Sequence, residues 1–286
     1  MEYRQAQQTF EYRNCRLVFT DTGKPDPPLF FLHGYGSSIV EWDSQVAHFA
    51  TKFRCLNLDL PGHGESEIPP AANATLQFQV DAAAAFLASR NCAPVAAIGH
   101  SMGGRIAGWL ALRYPRLIRA LVLVNAPADQ PLASGLKLLT KLTPTPVASF
   151  LMRRKHFFRG LTRRYSSDMV TTPNELTRRK AEHLRLMRRR TDFPRRMDFL
   201  IRLGKSILAD DLARHLDEIE SPTLIVWTEN DHTCPGASAK LIEQRMPHAR
   251  LEIIKDAAHN PHLEQFERFN EVLLQFLAIT EMSRGS

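Results

Sequence analysis

Residues 95–104 read Val-Ala-Ala-Ile-Gly-His-Ser-Met-Gly-Gly, and this stretch decides the fold class. A continuously apolar run at 95–98 has strand length and leads directly into a Gly-x-Ser-x-Gly sequence. A helical pattern follows at 102–114 and is ended by Pro115. Ser101 is therefore predicted on a sharp turn from strand to helix, where small neighbours permit a strained backbone and the helix start offers N–H groups to a developing negative charge. The motif favours a serine nucleophile over a plain glycine-rich turn.

The remainder of the 286-residue chain repeats the alternation of strands and helices. With 44% hydrophobic and 23% charged residues, the composition is that of a soluble globular protein rather than a disordered or repetitive one. Continuously apolar strands that alternate with helices predict an α/β protein, with a mostly parallel central sheet and helices on both faces. The predicted strands lie at 29–32, 55–58, 95–98, 121–124, 223–227 and 251–254, and the predicted helices at 76–89, 102–114, 237–245 and 261–277.

One internal segment differs from the rest in charge. The chain has a formal net charge of +7, yet residues 127–215 hold 20 Lys and Arg against 8 Asp and Glu. That segment alone carries +12, so the remaining residues sum to −5. Its leucine and methionine spacing predicts helices at 175–187 and 199–212. We therefore predict a core formed by residues 1–126 and 216–286, with residues 127–215 inserted as a basic helical lid.

Several classes of protein are disfavoured by the sequence. The four cysteines are dispersed without a Cys-x-x-Cys pair, which disfavours a zinc knuckle or a dithiol redox site and predicts free thiols. No uncharged apolar run is long enough to cross a bilayer, and the polar start has no apolar signal core behind it. We expect a cytoplasmic protein that uses neither a metal ion nor an organic cofactor.

With Ser101 as the anchor, the chain resembles the α/β-hydrolase family from about residue 10 to about residue 279. His33-Gly34-Tyr35-Gly36 follows a strand as the family's oxyanion loop does. The resemblance implies an oxyanion hole made by the backbone N–H groups of Tyr35 and Met102. The sequence at 59–66, Asp-Leu-Pro-Gly-His-Gly-Glu-Ser, resembles a structural turn of the family, and no catalytic role is expected there.

A serine hydroxyl needs an imidazole to remove its proton, and the chain has 11 histidines. The resemblance implies that the base is His259, on the loop between the last strand and the last helix. His262 is the nearest rival, but it should lie one turn into that helix. The orienting acid implied by the loop at 227–235 is Asp231, whereas Glu229 and Asp256 are typical of surface charges or caps. The four remaining histidines beside motifs are expected to be structural, namely His33, His63, His100 and His232.

The order Ser101, Asp231, His259 is that of the fold. It implies a serine hydrolase that cleaves a carboxylic ester or thioester through an acyl-enzyme. A serine at the turn, rather than an aspartate, argues against the family's haloalkane dehalogenases and epoxide hydrolases. Three alternatives remain open: a carbon–carbon bond hydrolase, a lyase of the menaquinone-pathway type, and a non-enzymatic ligand receptor on the same fold.

The basic lid suggests an acidic partner, although a solvated helical surface is the plain alternative. Some lid-bearing members of the family that the chain resembles cleave esters or thioesters of acyl chains carried by an acidic acyl carrier protein, which docks on lid arginines. Membranes with anionic lipids or coenzyme A thioesters would suit the same charge, while nucleic acid is disfavoured because no binding module is recognised. The candidate docking residues are Arg153, Arg154, Arg188, Arg189 and Arg190.

Arg105 lies four residues after Ser101 and therefore on the same face of the predicted helix, one turn deeper. A guanidinium there could bind an anionic substrate at the rim of the pocket. The alternative is a structural arginine that bonds neighbouring loops.

Overall fold

A computed structural model describes residues 6–23, 27–129, 143–144, 147, 169–234 and 236–282. Its centre is one eight-stranded sheet with the strand order β1-β2-β4-β3-β5-β6-β7-β8. β1 and β2 pair antiparallel with each other, β2 pairs antiparallel with β4, and the other pairs are parallel. The strands are β1 (Gln8–Tyr12), β2 (Cys15–Asp21), β3 (Pro28–Leu32), β4 (Arg54–Leu58), β5 (Val95–His100), β6 (Ile118–Val124), β7 (Thr223–Thr228) and β8 (Ala249–Ile254).

The helices cover both faces of this sheet, and local sequence sets several of their ends. The side chain of Thr75 accepts a hydrogen bond from the Phe78 N–H and caps α2. Asn174 and Thr177 form a reciprocal capping box at the start of α4. The described α-helices are α1 (Asp43–Phe49), α2 (Leu76–Ser89), α3 (Met102–Arg113), α4 (Glu175–Met187), α5 (Phe193–Leu208), α6 (Ala237–Arg245), α7 (Pro261–Glu264) and α8 (Phe266–Met282).

Two apolar clusters fill the layers on either side of the sheet. Phe30 and Leu32 of β3 join one cluster, while Leu29 and Phe31 of the same strand join the other. This alternation follows from the two-residue period of a strand, and all four side chains are fully buried. The sheet is therefore covered on both faces, as its continuously apolar strands predict.

The predicted fold class is confirmed, with three differences in detail. The single helix expected at 261–277 breaks at Gln265, whose φ of −125° and ψ of 58° are not helical, so α7 and α8 are separate. The helix expected at 199–212 instead runs from Phe193 to Leu208. Pro194 is tolerated in its first turn because N–H groups there have no partner within the helix. Strands β1 and β2 and helix α1 are not among the predicted elements.

The described part of the predicted lid contributes α4 and α5 to the chain between β6 and β7. Residues 130–142, 145–146 and 148–168 lie outside the described residues, so the lid boundaries at 127 and 215 stay a prediction. Among the described helices, none combines the length and the apolar character that a membrane-spanning segment requires.

Candidate active site

Ser101 lies on a sharp turn between β5 and α3, as its sequence context predicts. Its backbone has φ 53° and ψ −116°, a strained conformation for a residue with a side chain. The Ser101 N–H donates to the carbonyl of Val124 at 2.9 Å, which ties the turn to the end of β6. A Cβ added to Gly103 would collide with the carbonyl groups of Leu32 and His33, so only glycine permits α3 to start this close to β3.

His259 and Asp231 form a buried hydrogen-bonded pair near this turn. Nδ1 of His259 donates to Oδ2 of Asp231 at 2.8 Å, and the two residues are 1% and 7% exposed. Oδ1 of Asp231 accepts the N–H groups of Thr233 and Cys234 at 2.8 and 2.9 Å. Burial raises the pKa of Asp231, but the hydrogen bond and charge of His259 and the other donors lower it further, so the net pKa is lowered. The carboxylate is thus held ionised beside the imidazole.

Asn125 is a further member of this site that the sequence analysis does not identify. It follows β6 directly, and its side-chain nitrogen donates to Oδ2 of Asp231 at 2.6 Å and to the Thr228 hydroxyl at 2.9 Å. The same nitrogen lies 3.2 Å from the carbonyl of Ala258, next to His259. The carboxyl ends of parallel strands meet at one edge of a sheet, so the position of Asn125 at the end of β6 is the signal that could have found it.

The loop after β3 lies beside the serine turn. A Cβ on Gly34 would be 3.6 Å from the Ser101 Cβ, which places this loop against Ser101. Met102 is the first residue of α3, and the N–H groups of a first turn have no intrahelical acceptor. The Tyr35 hydroxyl donates to the carbonyl of Leu200 at 2.5 Å, so the loop also contacts α5, within the predicted lid.

A second polar cluster is buried behind His259 and is centred on Glu41. Oε1 of Glu41 accepts the Gly34 N–H at 3.0 Å and lies 2.8 Å from Nδ1 of His100. Its other oxygen accepts from the ammonium of Lys180, on α4, at 2.5 Å. Burial raises the pKa of Glu41, but the charges of Lys180 and His100 lower it more, and the net pKa is well below the usual range. Burial lowers the pKa of His262, the rival base, and its ring stacks on Trp42 at 4.3 Å.

Two groups of residues have the composition of a metal site within the described ranges. Ligand-type atoms of Glu41, His100 and His262 lie within 4.8 Å of one another, as do those of Asp231, Cys234 and His259. In the first group the ammonium of Lys180 already neutralises Glu41. In the second group both Asp231 oxygens accept hydrogen bonds. The expectation that no metal is used stays a prediction.

Arg105 lies on α3 one turn after Ser101, where its guanidinium contacts residues near both ends of the predicted lid segment. It pairs with Asp210 at 3.1 Å and donates to the carbonyls of Ile207 at 3.3 Å and Asp129 at 2.5 Å. The Arg105 side chain is 3% exposed and that of Asp210 is 8% exposed. These bonds are those expected of a structural arginine that bonds neighbouring loops. Contact of Arg105 with substrate stays a prediction.

The candidate docking arginines are not all equivalent. Arg188 and Arg189 follow α4 and are exposed, whereas Arg190 is half-buried and pairs with Glu65 at 2.6 Å and Asp192 at 3.0 Å. The other two candidates lie outside the described residues, namely Arg153 and Arg154.

The comparisons with known proteins agree with this architecture. The family model of the alpha/beta hydrolase fold matches residues 27–266. A 2-hydroxy-6-oxononadienedioate/2-hydroxy-6-oxononatrienedioate hydrolase of Burkholderia vietnamiensis is 28% identical over 92% of this chain and 91% of its own length. A pimeloyl-[acyl-carrier protein] methyl ester esterase of Aeromonas hydrophila is 26% identical over 88% of this chain and 95% of its own length. The crystal structure of the enol-lactonase from Burkholderia xenovorans superimposes with a TM-score of 0.77 at 21% identity, covering 95% of this chain and 100% of that one.

The sheet is mostly parallel and eight-stranded, and it carries a serine turn and a buried histidine–aspartate pair at one edge. These features together define the class of α/β hydrolases. The chain belongs to the alpha/beta hydrolase fold family, as the match over residues 27–266 shows. The resemblance found in the sequence is therefore confirmed, and the protein is an enzyme of the α/β-hydrolase superfamily.

Proposed function

We propose that this protein is a serine hydrolase that cleaves a carboxylic ester or thioester through an acyl-enzyme. The observation that carries the proposal is the buried pair of His259 and Asp231 beside the strained turn that bears Ser101. Ser101 attacks the carbonyl carbon of the substrate, and His259 accepts the hydroxyl proton and then transfers it to the leaving group. Asp231 fixes the tautomer of the imidazole and stabilises its positive charge. Water then hydrolyses the acyl-enzyme with His259 again acting as the base.

The oxyanion of the tetrahedral intermediate would be stabilised by the backbone N–H groups of Tyr35 and Met102. Two observations support this assignment. The loop at Gly34 lies so near Ser101 that a Cβ on Gly34 would be 3.6 Å from the Ser101 Cβ, and Met102 is the first residue of α3. Loss of one such donor typically costs on the order of 10²–10³ in kcat, so the loop geometry should matter to turnover.

An acyl group on an acidic carrier is the substrate class that we propose for this site. A similar protein is a pimeloyl-[acyl-carrier protein] methyl ester esterase, and Arg188 and Arg189 are exposed beside α4. A protein carrier with negative charge would bind such a surface in a salt-dependent way. Neutralising Arg188 and Arg189 to Gln should weaken binding of an acyl-carrier substrate at low salt but leave hydrolysis of a small ester unchanged. Equal effects on both substrates would contradict this docking surface.

A carbon–carbon bond hydrolase is the second candidate, because similar proteins carry out that class of reaction. The ester and carbon–carbon reactions can use the same residues, so the substrate decides between them. Turnover of p-nitrophenyl esters without turnover of a vinylogous 1,5-diketone would favour the ester or thioester hydrolase over the carbon–carbon bond hydrolase.

The first experiment is steady-state hydrolysis of short and medium p-nitrophenyl esters by the wild-type protein and Ser101→Ala. We expect turnover that falls by a factor on the order of 10⁴ in the variant. Full activity of Ser101→Ala would show that another group performs the reaction. The cytoplasmic location expected from the sequence stays a prediction.

A further inference from the structure

One buried carboxylate joins three parts of the candidate active site to the lid. Glu41 is completely shielded from solvent, and its Oε1 accepts the N–H of Gly34, in the loop proposed to hold the oxyanion. The same oxygen lies 2.8 Å from His100, the residue that precedes Ser101. Nε2 of His100 in turn lies 2.7 Å from the carbonyl oxygen of His259. Glu41 therefore contacts, directly or through one imidazole, the loops that carry the oxyanion site, the nucleophile and the base.

The lid supplies the charge that this carboxylate needs. Lys180 lies on α4, and its ammonium bonds Oε2 of Glu41 at 2.5 Å and the side-chain oxygen of Asn260 at 2.7 Å. Asn260 is the residue after His259, so Lys180 holds the histidine loop as well as Glu41. The Lys180 side chain is 12% exposed, which makes this pair a nearly buried one.

We propose that Glu41 and Lys180 are positioning residues, and that docking of α4 on Glu41 assembles the active site. With Lys180 in place, the neutralised carboxylate fixes the Gly34 loop and the His259 loop relative to Ser101. Without the ammonium, a charge is left in a dry environment, where it is costly unless it is paired. The Gly34 and His259 loops then shift, or water enters to solvate the carboxylate. Either change moves the reacting groups out of alignment. This inference rests on the proposed triad, because it assigns the cluster a role in aligning those three residues.

The direction of the contacts separates this role from substrate binding. Lys180 faces Glu41 and Asn260 behind His259, and both of its described partners are protein side chains. Loss of the ammonium should therefore lower kcat, because the reacting groups lose their alignment, and it should leave the KM of a small ester nearly unchanged. A lysine that only holds the lid closed would change stability or KM and leave kcat alone.

The test compares Lys180→Met with Lys240→Met, the same substitution at an exposed position on α6. The substrate is a short p-nitrophenyl ester, and thermal unfolding is measured in parallel. We expect kcat of Lys180→Met to fall on the order of 100-fold, as for a misplacement of about 1 Å, with KM within about twofold of wild type. Lys240→Met should match wild type in both constants. Unchanged kcat in a folded Lys180→Met protein would overturn the proposal.

Two further variants extend the test, and the first of them keeps it valid if Lys180→Met does not fold. Lys180→Arg keeps a cation and should retain kcat within about tenfold of wild type. A fall in kcat on the order of 100-fold in this variant would contradict the charge requirement. Glu41→Gln combined with Lys180→Met removes both charges. Because no buried charge is then left unpaired, the double variant should unfold at a higher temperature and turn over about tenfold faster than Lys180→Met. A double variant that is no more stable and no more active than Lys180→Met would overturn the coupling.

Ser101→Ala separates this inference from the proposed function. If Ser101→Ala is inactive while Lys180→Met keeps wild-type kcat, the triad stands and the positioning role is wrong. If Ser101→Ala keeps full activity, the proposed function itself fails.

Discussion

Replacement of Gly103 by alanine tests how tightly the serine turn is packed against β3. A Cβ at this position would lie 2.7 Å from the carbonyl oxygen of His33 and nearer still to that of Leu32, whereas real Cβ atoms essentially never approach within 3.0 Å. The obstructing atoms belong to the backbone and cannot rotate away, so α3 and β3 must separate by at least a few tenths of an ångström. Because the obstruction is backbone, overpacking here should cost about 3 kcal/mol, the upper end of the usual range, and the higher helix propensity of alanine returns up to about 1 kcal/mol. A net loss of about 2 kcal/mol follows.

That loss should lower the thermal midpoint by about 4–8 °C. Because Leu32 and His33 lead into the loop beside Ser101, the same displacement should reduce ester turnover on the order of 100-fold. The matched control is Gly236→Ala, where an added Cβ meets nothing within 4 Å and φ is −60°. That control should be neutral or slightly stabilising, with unchanged turnover. A Gly103→Ala protein with wild-type stability and turnover would refute the packing argument.

Three further predictions concern the supporting contacts. Asp231 has a pKa below the ordinary aspartate value of 3.8, so its carboxylate stabilises the fold above that pH. The difference in unfolding free energy between wild type and Asp231→Asn should therefore narrow as the pH falls below ~4, and a difference that widens on acidification below that pH would contradict the sign. Arg105→Met should lower the free energy of unfolding by about 3–5 kcal/mol by leaving Asp210 without its cation, while the exposed Arg113→Met should not; a raised KM without loss of stability would instead indicate substrate binding. Asn125→Gly, which tolerates the φ of 41°, should reduce kcat about tenfold by removing a charge-assisted hydrogen bond to Asp231, and an unchanged kcat would show that the other donors suffice.

Local sequence predicts those elements whose ends and periodicity are set by neighbouring residues. The helices at 76–89, 175–187 and 237–245 match the observed α2, α4 and α6 at both ends. The serine turn is equally local, because the glycine at 103 and the strand before it lie within a few residues of Ser101. The break at Gln265 is missed because the apolar pattern continues across it, although the backbone leaves the helix there.

The contacts that hold the candidate site together are mostly distant in sequence, which is why the motifs do not reveal them. Glu41 and Lys180 are 139 residues apart, and Asn125 and Asp231 are 106 residues apart. A weak signal for Lys180 does exist, because it is three residues after the buried Thr177 and shares its helix face. The partners that such a face meets are set by the fold and not by the helix itself.

The same distinction applies to Arg105. Its spacing from Ser101 correctly places it on the same helix face, but spacing carries no information about Asp210, with which it pairs. A charged residue near a motif therefore has two readings, and only the tertiary contacts separate them.

The central claim is that Ser101 is a nucleophile activated by His259 and Asp231. The most direct measurement is mass spectrometry of the protein after treatment with a fluorophosphonate, with Ser101→Ala and His259→Ala treated in parallel. We expect one covalent adduct on the peptide that contains Ser101, none in Ser101→Ala, and labelling slowed by orders of magnitude in His259→Ala. An adduct on another residue, or labelling at the wild-type rate in His259→Ala, would contradict it.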